Sequence, residues 1–131
     1  MKGAFAGLGL LAAAACVAPQ PVDVGRAAFQ ENCATCHGER ATGDGRMAVF
    51  VPGGVPNLRE LSLHNGGTFP EAHVVQVITK VSDLHDGIVA MPDFAALLDA
   101  SPAVYIAPDG ERIETDATVL AIVDYLQSIQ D

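Results

Sequence analysis

Apolar positions recur with a helical period in three stretches of the chain. Val119, Ile122, Val123 and Leu126 stand at i, i+3, i+4 and i+7, which predicts a helix over about Ala117 to Ile129 with Asp116 as its N-cap. Val74, Val77, Ile78 and Val81 repeat the spacing and predict a helix over about Pro70 to Val81. Thr68 and Glu71 have capping-box spacing at its start, and Pro70 suits a first turn. An earlier helix is expected from about Val24 to Cys36, with Phe29 and Cys33 four apart on one face. Pro19-Gln20-Pro21 reads as a short extended lead-in to it.

Between these helices the periodicity is lost. Residues 38–67 are rich in Gly and Pro and read as a long loop with one short helical turn. A structureless loop of that length is unusual in a small domain unless it wraps a large ligand. Asp83 to Thr115 is a second irregular stretch. Within it Val104-Tyr105-Ile106 and Arg112-Ile113 flank Pro108-Asp109-Gly110, the pattern of a β-hairpin.

The N-terminal pattern is different again. Lys2 is the only charge before Asp23, and Gly3 to Ala18 carry no charged or polar side chain. A lone basic residue ahead of a short apolar run predicts a secretory signal peptide over residues 1–18, leaving 19–131 as one mature domain. The run falls short of the roughly 20 residues that span a bilayer, so an uncleaved anchor is the lesser alternative. Cys16 directly follows Ala13-Ala14-Ala15, which resembles a bacterial lipoprotein signal cut before Cys16, although Ala13 stands where leucine is commoner. The alternative is ordinary cleavage nearby.

Composition narrows the function classes. A chain of 131 residues has room for one ordinary domain. With 16 acidic and seven basic side chains the formal charge is -9, which excludes holding nucleic acid by bulk charge. A hydrophobic fraction of 50% excludes a disordered acidic tail. Three cysteines cannot all pair within one chain. Without Trp, and with only five Phe and two Tyr, the core is thin in large rings.

One motif carries chemistry. Cys33-Ala34-Thr35-Cys36-His37 is the attachment signature for c-type haem. Two thiols three residues apart can reach the two vinyl groups of one porphyrin, and His37 would be the proximal ligand of the iron. A zinc site could use the same residues, but structural zinc wants four protein ligands. A thioredoxin-like pair would expect a βαβ pattern, and a Cys33–Cys36 disulfide would close a very small loop. Met91 is the best candidate for the second axial ligand, because Pro92 disfavours helix at Met91 and stiffens the turn after it. Its plain alternative is a core methionine. Met47 is too close to His37 in sequence to reach the opposite face. His64, His73 and His85 are rivals, His85 the most serious, and bis-His ligation would lower the potential.

These residues together resemble a small monohaem class I cytochrome c of bacterial type. The likeness rests on Gly25-Arg26-Ala27-Ala28-Phe29, Cys33 to His37, Gly43-Asp44-Gly45, Pro56-Asn57-Leu58, Ala90-Met91-Pro92 and Val123-Asp124-Tyr125-Leu126. It implies an all-α fold with three main helices around one covalently bound haem c, here with a possible small β-hairpin near 103–114. It further implies that the first and last helices cross near the haem. Gly25 would allow close approach there, with Phe29 towards Tyr125 or Leu126. A carbonyl of Pro52 or Pro56 is expected to accept the second imidazole proton of His37. Phe29, Phe50, Phe69, Phe94, Leu58 and Val74 are pocket candidates that core packing explains equally well.

The function implied is one-electron transfer without catalysis, in the periplasm, by a soluble or lipid-anchored protein. Its partners would be redox proteins with basic docking surfaces, reached by electrostatic steering; contact with a membrane would come only through a lipid at Cys16. Two alternatives stay open: a haem subunit docked to a larger dehydrogenase or oxidase, and a five-coordinate haem sensor or peroxidase-like protein. The departure from the family pattern is Asp93 to Thr115, longer than the usual link. Its plainer reading is a tolerated surface insertion; the sharper one is a cover for the haem edge or a docking element.

Overall fold

The computed structural model describes residues 18–79, 91–92 and 101–131. Residues 1–17 of the expected signal peptide, with Cys16, and Val81, His85 and Phe94 lie outside the described residues.

Helix α1 spans Pro21–Asn32. It starts earlier than the apolar pattern suggests because Pro21 fits the first helical positions, where its missing N–H has no partner to lose. The extended lead-in therefore ends at Gln20, whose carbonyl accepts the N–H groups of Asp23 and Val24 at 2.9 and 3.1 Å. The helix does not run on to Cys36. It stops at Asn32, Cys33 bends at φ -111°, and a short helix α2 follows over Ala34–His37.

The Gly-rich stretch holds more structure than one turn. It contains 3₁₀ turns at Ala48–Phe50 and Leu58–Glu60 and a short helix α3 at Leu61–His64. Helix α4 covers Glu71–Thr79. Strands β1 (Pro102–Ile106) and β2 (Arg112–Asp116) pair antiparallel with Tyr105 opposite Ile113. Their turn closes through Gly110 N–H to the Ala107 carbonyl at 2.9 Å, with Gly110 at φ 88°. Helix α5 spans Ala117–Ser128. Asp116 caps it as expected, accepting the Thr118 N–H at 2.7 Å. Its other carboxylate oxygen accepts the Ser101 N–H at 2.6 Å, tying the cap to the approach to β1.

The main packing is α1 against α5. Gly25 makes it possible: a Cβ there would fall on the Ala121 carbonyl and lie 2.9 Å from the Ile122 nitrogen. One turn on, the rings of Phe29 and Tyr125 meet with centroids 5.4 Å apart and planes tilted by 51°. Phe29, Val75, Ile113, Val119, Ile122 and Val123 are fully buried in one cluster.

Two expectations need correction. On α4 the buried positions are Val74, Val75 and Ile78, with Val77 only half-buried. The helix packs against both α5 and β2, so its covered face is wider and turned towards Val75. The hairpin is also more than a surface insertion. Ile113 is 1% exposed and belongs to the central cluster, and Thr79 and Thr115 share a hydroxyl hydrogen bond of 2.8 Å. Alternation along the pleat sends Ile113 and Tyr105 inward while Val104 and Ile106 stay exposed. The result is a helix-rich fold with a small two-stranded sheet built into its core.

Candidate haem attachment site

The chemistry-bearing residues sit where α1 gives way to α2. Cys33 N–H closes α1 onto the Phe29 carbonyl at 2.8 Å, so the first thiol is anchored one turn beyond the most buried aromatic ring. Cys36 and His37 lie on α2. Both thiols are free and half-buried. Burial, with Cys36 nearby as the lesser cause, pushes the Cys33 thiol up to about 11, so it is a neutral thiol at physiological pH.

A four-residue helix leaves all its carbonyls without helical partners. Here the chain that follows returns to satisfy them in order. Gly38 N–H donates to Ala34 at 2.8 Å, Met47 to Thr35 at 3.0 Å, Gly45 to Cys36 at 3.2 Å and Gly43 to His37 at 2.8 Å. This stitching explains Gly43-Asp44-Gly45. A Cβ on Gly45 would lie 2.5 Å from the Thr35 and Cys36 carbonyl oxygens. Gly43 stands at φ 80°, and a Cβ there would be 3.2 Å from the Pro56 oxygen. The Pro56 carbonyl thus packs against the turn that holds His37. Leu58 N–H secures the same segment to the Ala41 carbonyl at 2.8 Å.

His37 is held in an unusual condition. Its Nδ1 is buried and makes no hydrogen bond of acceptable geometry, an uncommon state for a polar atom. Burial pulls its pKa below the ordinary 6.5, and the Pro56 carbonyl opposes that shift. That oxygen approaches the ring without closing a full bond to Nδ1. The imidazole is therefore neutral at pH 7, the form that ligates metals.

The other candidates fall in distinct places. Met91 is half-buried and packs against the central cluster that includes Phe29 and Val74. Met47 is 42% exposed. His64 is exposed on α3 with Glu60 3.9 Å away, and His73 is exposed on α4. Phe29 packs on Tyr125, Leu58 and Phe69 border the cluster, and Phe50 is exposed on its 3₁₀ turn. Among the described residues no three His, Cys, Asp or Glu side chains are grouped to hold a metal ion, so the zinc reading has no donor set there.

Sequence reasoning missed one group altogether. Gln130 and Asp131, at the end of the chain, bond the segment 58–62. Arg59 and Asp131 are 72 positions apart, and no local pattern announces such a pair.

The residues present suit a covalently held haem: two unpaired thiols on one turn, a half-buried imidazole beside them with its Nδ1 buried, and a glycine-lined return loop that admits close backbone approach. The family model described as cytochrome c oxidase, cbb3-type, subunit III matches residues 20–107, from α1 to the end of the β1 strand. Neither the curated proteins nor the solved structures compared with the chain give a match. With two thirds of its length matched and the attachment motif inside the match, the chain belongs to this family and is a monohaem class I cytochrome c, whose cofactor is one covalently bound c-type haem.

Proposed function

We propose that the protein is a periplasmic one-electron carrier in which Cys33 and Cys36 hold the haem and His37 and Met91 ligate its iron. The observation that carries this reading is the half-buried His37, whose buried Nδ1 has no hydrogen-bond partner, directly following two free thiols on the same short stretch of chain. The haem supplies reversible one-electron chemistry at iron. Cys33 and Cys36 would fix its orientation through thioethers. His37 would present Nε2 to the metal, since the Pro56 carbonyl acts on the other ring nitrogen. Met91, itself packed against the core cluster, would offer a soft thioether. With His37 and Met91 both holding the iron, no position would be open for substrate, which supports transfer of electrons over catalysis. Among the described residues no helix is long and apolar enough to cross a membrane. Export rests on the residue 1–18 segment and membrane attachment on a lipid at Cys16. The charge of -9 favours partners with basic docking surfaces.

The absorption spectrum of the purified oxidised protein tests the ligation. A methionine–iron charge-transfer band that disappears in Met91→Ala is expected. No such band, or ready carbon monoxide binding by the reduced wild type, would sink Met91 as ligand and favour a five-coordinate haem. A second reading, a haem subunit docked to a larger oxidase, is favoured by the description of the matched family. Size exclusion of the native extract separates it from a freestanding carrier.

A further inference from the structure

The end of the chain grips the segment that follows Pro56. The Gln130 side chain alone engages three main-chain groups. Its Nε2 donates to the Leu126 and Leu58 carbonyls, each at 2.8 Å, and its Oε1 accepts the Ser62 N–H at 2.9 Å. Beside it Arg59 forks onto Asp131. Its Nε lies 3.1 Å from both carboxylate oxygens and Nη2 lies 2.5 Å from one of them, while Asp131 N–H donates to the Arg59 carbonyl at 3.0 Å. Both ends of the segment 58–62 are thereby fixed to the two residues that follow the α5 C-cap, and through Gln130 to the Leu126 carbonyl in its last turn. At its leading edge, Leu58 N–H is bonded to Ala41, and Pro56, two residues earlier, abuts Gly43, whose N–H holds the His37 carbonyl.

We propose that Gln130, supported by the Arg59–Asp131 pair, is a positioning residue for the haem ligand: it clamps segment 58–62 to the end of α5 and so keeps the Pro56 carbonyl beside the His37 ring, where it would accept from Nδ1 when the imidazole ligates iron. The inference rests on the reading of His37 as an axial ligand. Gln130 and Asp131 lie beyond the matched residues 20–107, while the segment that they hold lies within them. An amide side chain is what the position requires, because the same group must donate to two carbonyls and accept from one N–H. A glutamate would set negative charge against the Leu58 and Leu126 oxygens. Donation from Nδ1 to a carbonyl raises the basicity of a ligating imidazole. A more basic ligand stabilises ferric iron, so loosening the clamp raises the reduction potential.

The test compares wild type, Gln130→Ala, Gln130→Glu and Asp131→Asn as purified holoproteins. It reads midpoint potential, solvent exchange of the His37 ring N–H by proton NMR in the ferrous state, and melting temperature. Ile113→Val serves as a destabilised control away from the clamp. The expected result is a higher potential and faster ring N–H exchange in both Gln130 variants, a smaller change of the same sign in Asp131→Asn, and neither change in Ile113→Val. Lower melting temperature with wild-type potential and exchange would overturn the proposal and leave a merely structural tie. If the Gln130 variants fail to accumulate, Asp131→Asn alone decides by the same two readouts. Failure of His37 ligation itself shows in the wild-type spectrum before any variant is compared.

Discussion

Gly25→Ala probes the contact on which the helix crossing depends. In an isolated helix the change would help, since Ala exceeds Gly by about 1 kcal/mol. Here the new methyl would land on the Ala121 carbonyl. That obstacle is backbone, with no rotamer to swing aside. Restoring contact at about 3.5 Å requires the two helices to part by roughly 1.5 Å, and relaxation that leaves about 0.5–1 Å of that as a gap forfeits a quarter to a half of the dispersion across it. Phe29, Ile122, Tyr125 and Leu126 are buried near the crossing, and each is worth about 1.5–3 kcal/mol when buried. Losing a quarter to a half of that total costs about 1.5–6 kcal/mol, from which the helix gain of about 1 kcal/mol is subtracted. A net loss of about 3 kcal/mol is the central value, corresponding to a fall of roughly 10–20 °C in Tm for a domain of this size. The assay is thermal unfolding of the holoprotein by circular dichroism, with Ala27→Gly on the exposed side of α1 as the measure of helix propensity alone. If Gly25→Ala stabilises by as much as Ala27→Gly destabilises, propensity is the whole effect and the close approach is refuted.

Ile113→Ala should destabilise by about 2–5 kcal/mol, because Ile113 is 1% exposed in the central cluster; denaturant unfolding near wild type would return the hairpin to a surface insertion. Asp116→Ala removes the α5 cap, a loss of about 1 kcal/mol, and also strips Ser101 N–H of its partner; chemical denaturation should show a cost above that of the cap alone. The hydrogen bond and charge of Arg59 hold the Asp131 carboxyl below its ordinary 3.8. A depressed carboxyl contributes stability that is fully present above the ordinary value and is lost as pH falls through the folded-state value. The Tm difference between wild type and Asp131→Asn should therefore hold steady from neutral pH down to the ordinary carboxylate value and close below it. Salt should shrink it, because Asp131 is more than half exposed; a difference that grows on acidification would contradict the pairing.

Much of this protein is legible in one dimension. Periodicity alone places α4 and α5, and Asp116 announces its cap, because amphipathic spacing and capping are local. Cys33 to His37 declares a haem by residue type and spacing, and Gly25 and Phe29 foretell the crossing with Tyr125. Pro108-Asp109-Gly110 marks the hairpin turn for the same reason. What the sequence alone could not supply is what depends on meeting a distant surface. The break at Cys33, the use of Gly43 and Gly45 to return N–H groups to α2, and the turn of the α4 face towards Val75 follow from tertiary contact. So does the burial of Ile113, which makes an apparent insertion part of the core. The clearest case is the Gln130 and Asp131 clamp on segment 58–62. Hydrogen bonds across some 70 positions leave no periodic trace, since their geometry exists only after α5 has docked on α1.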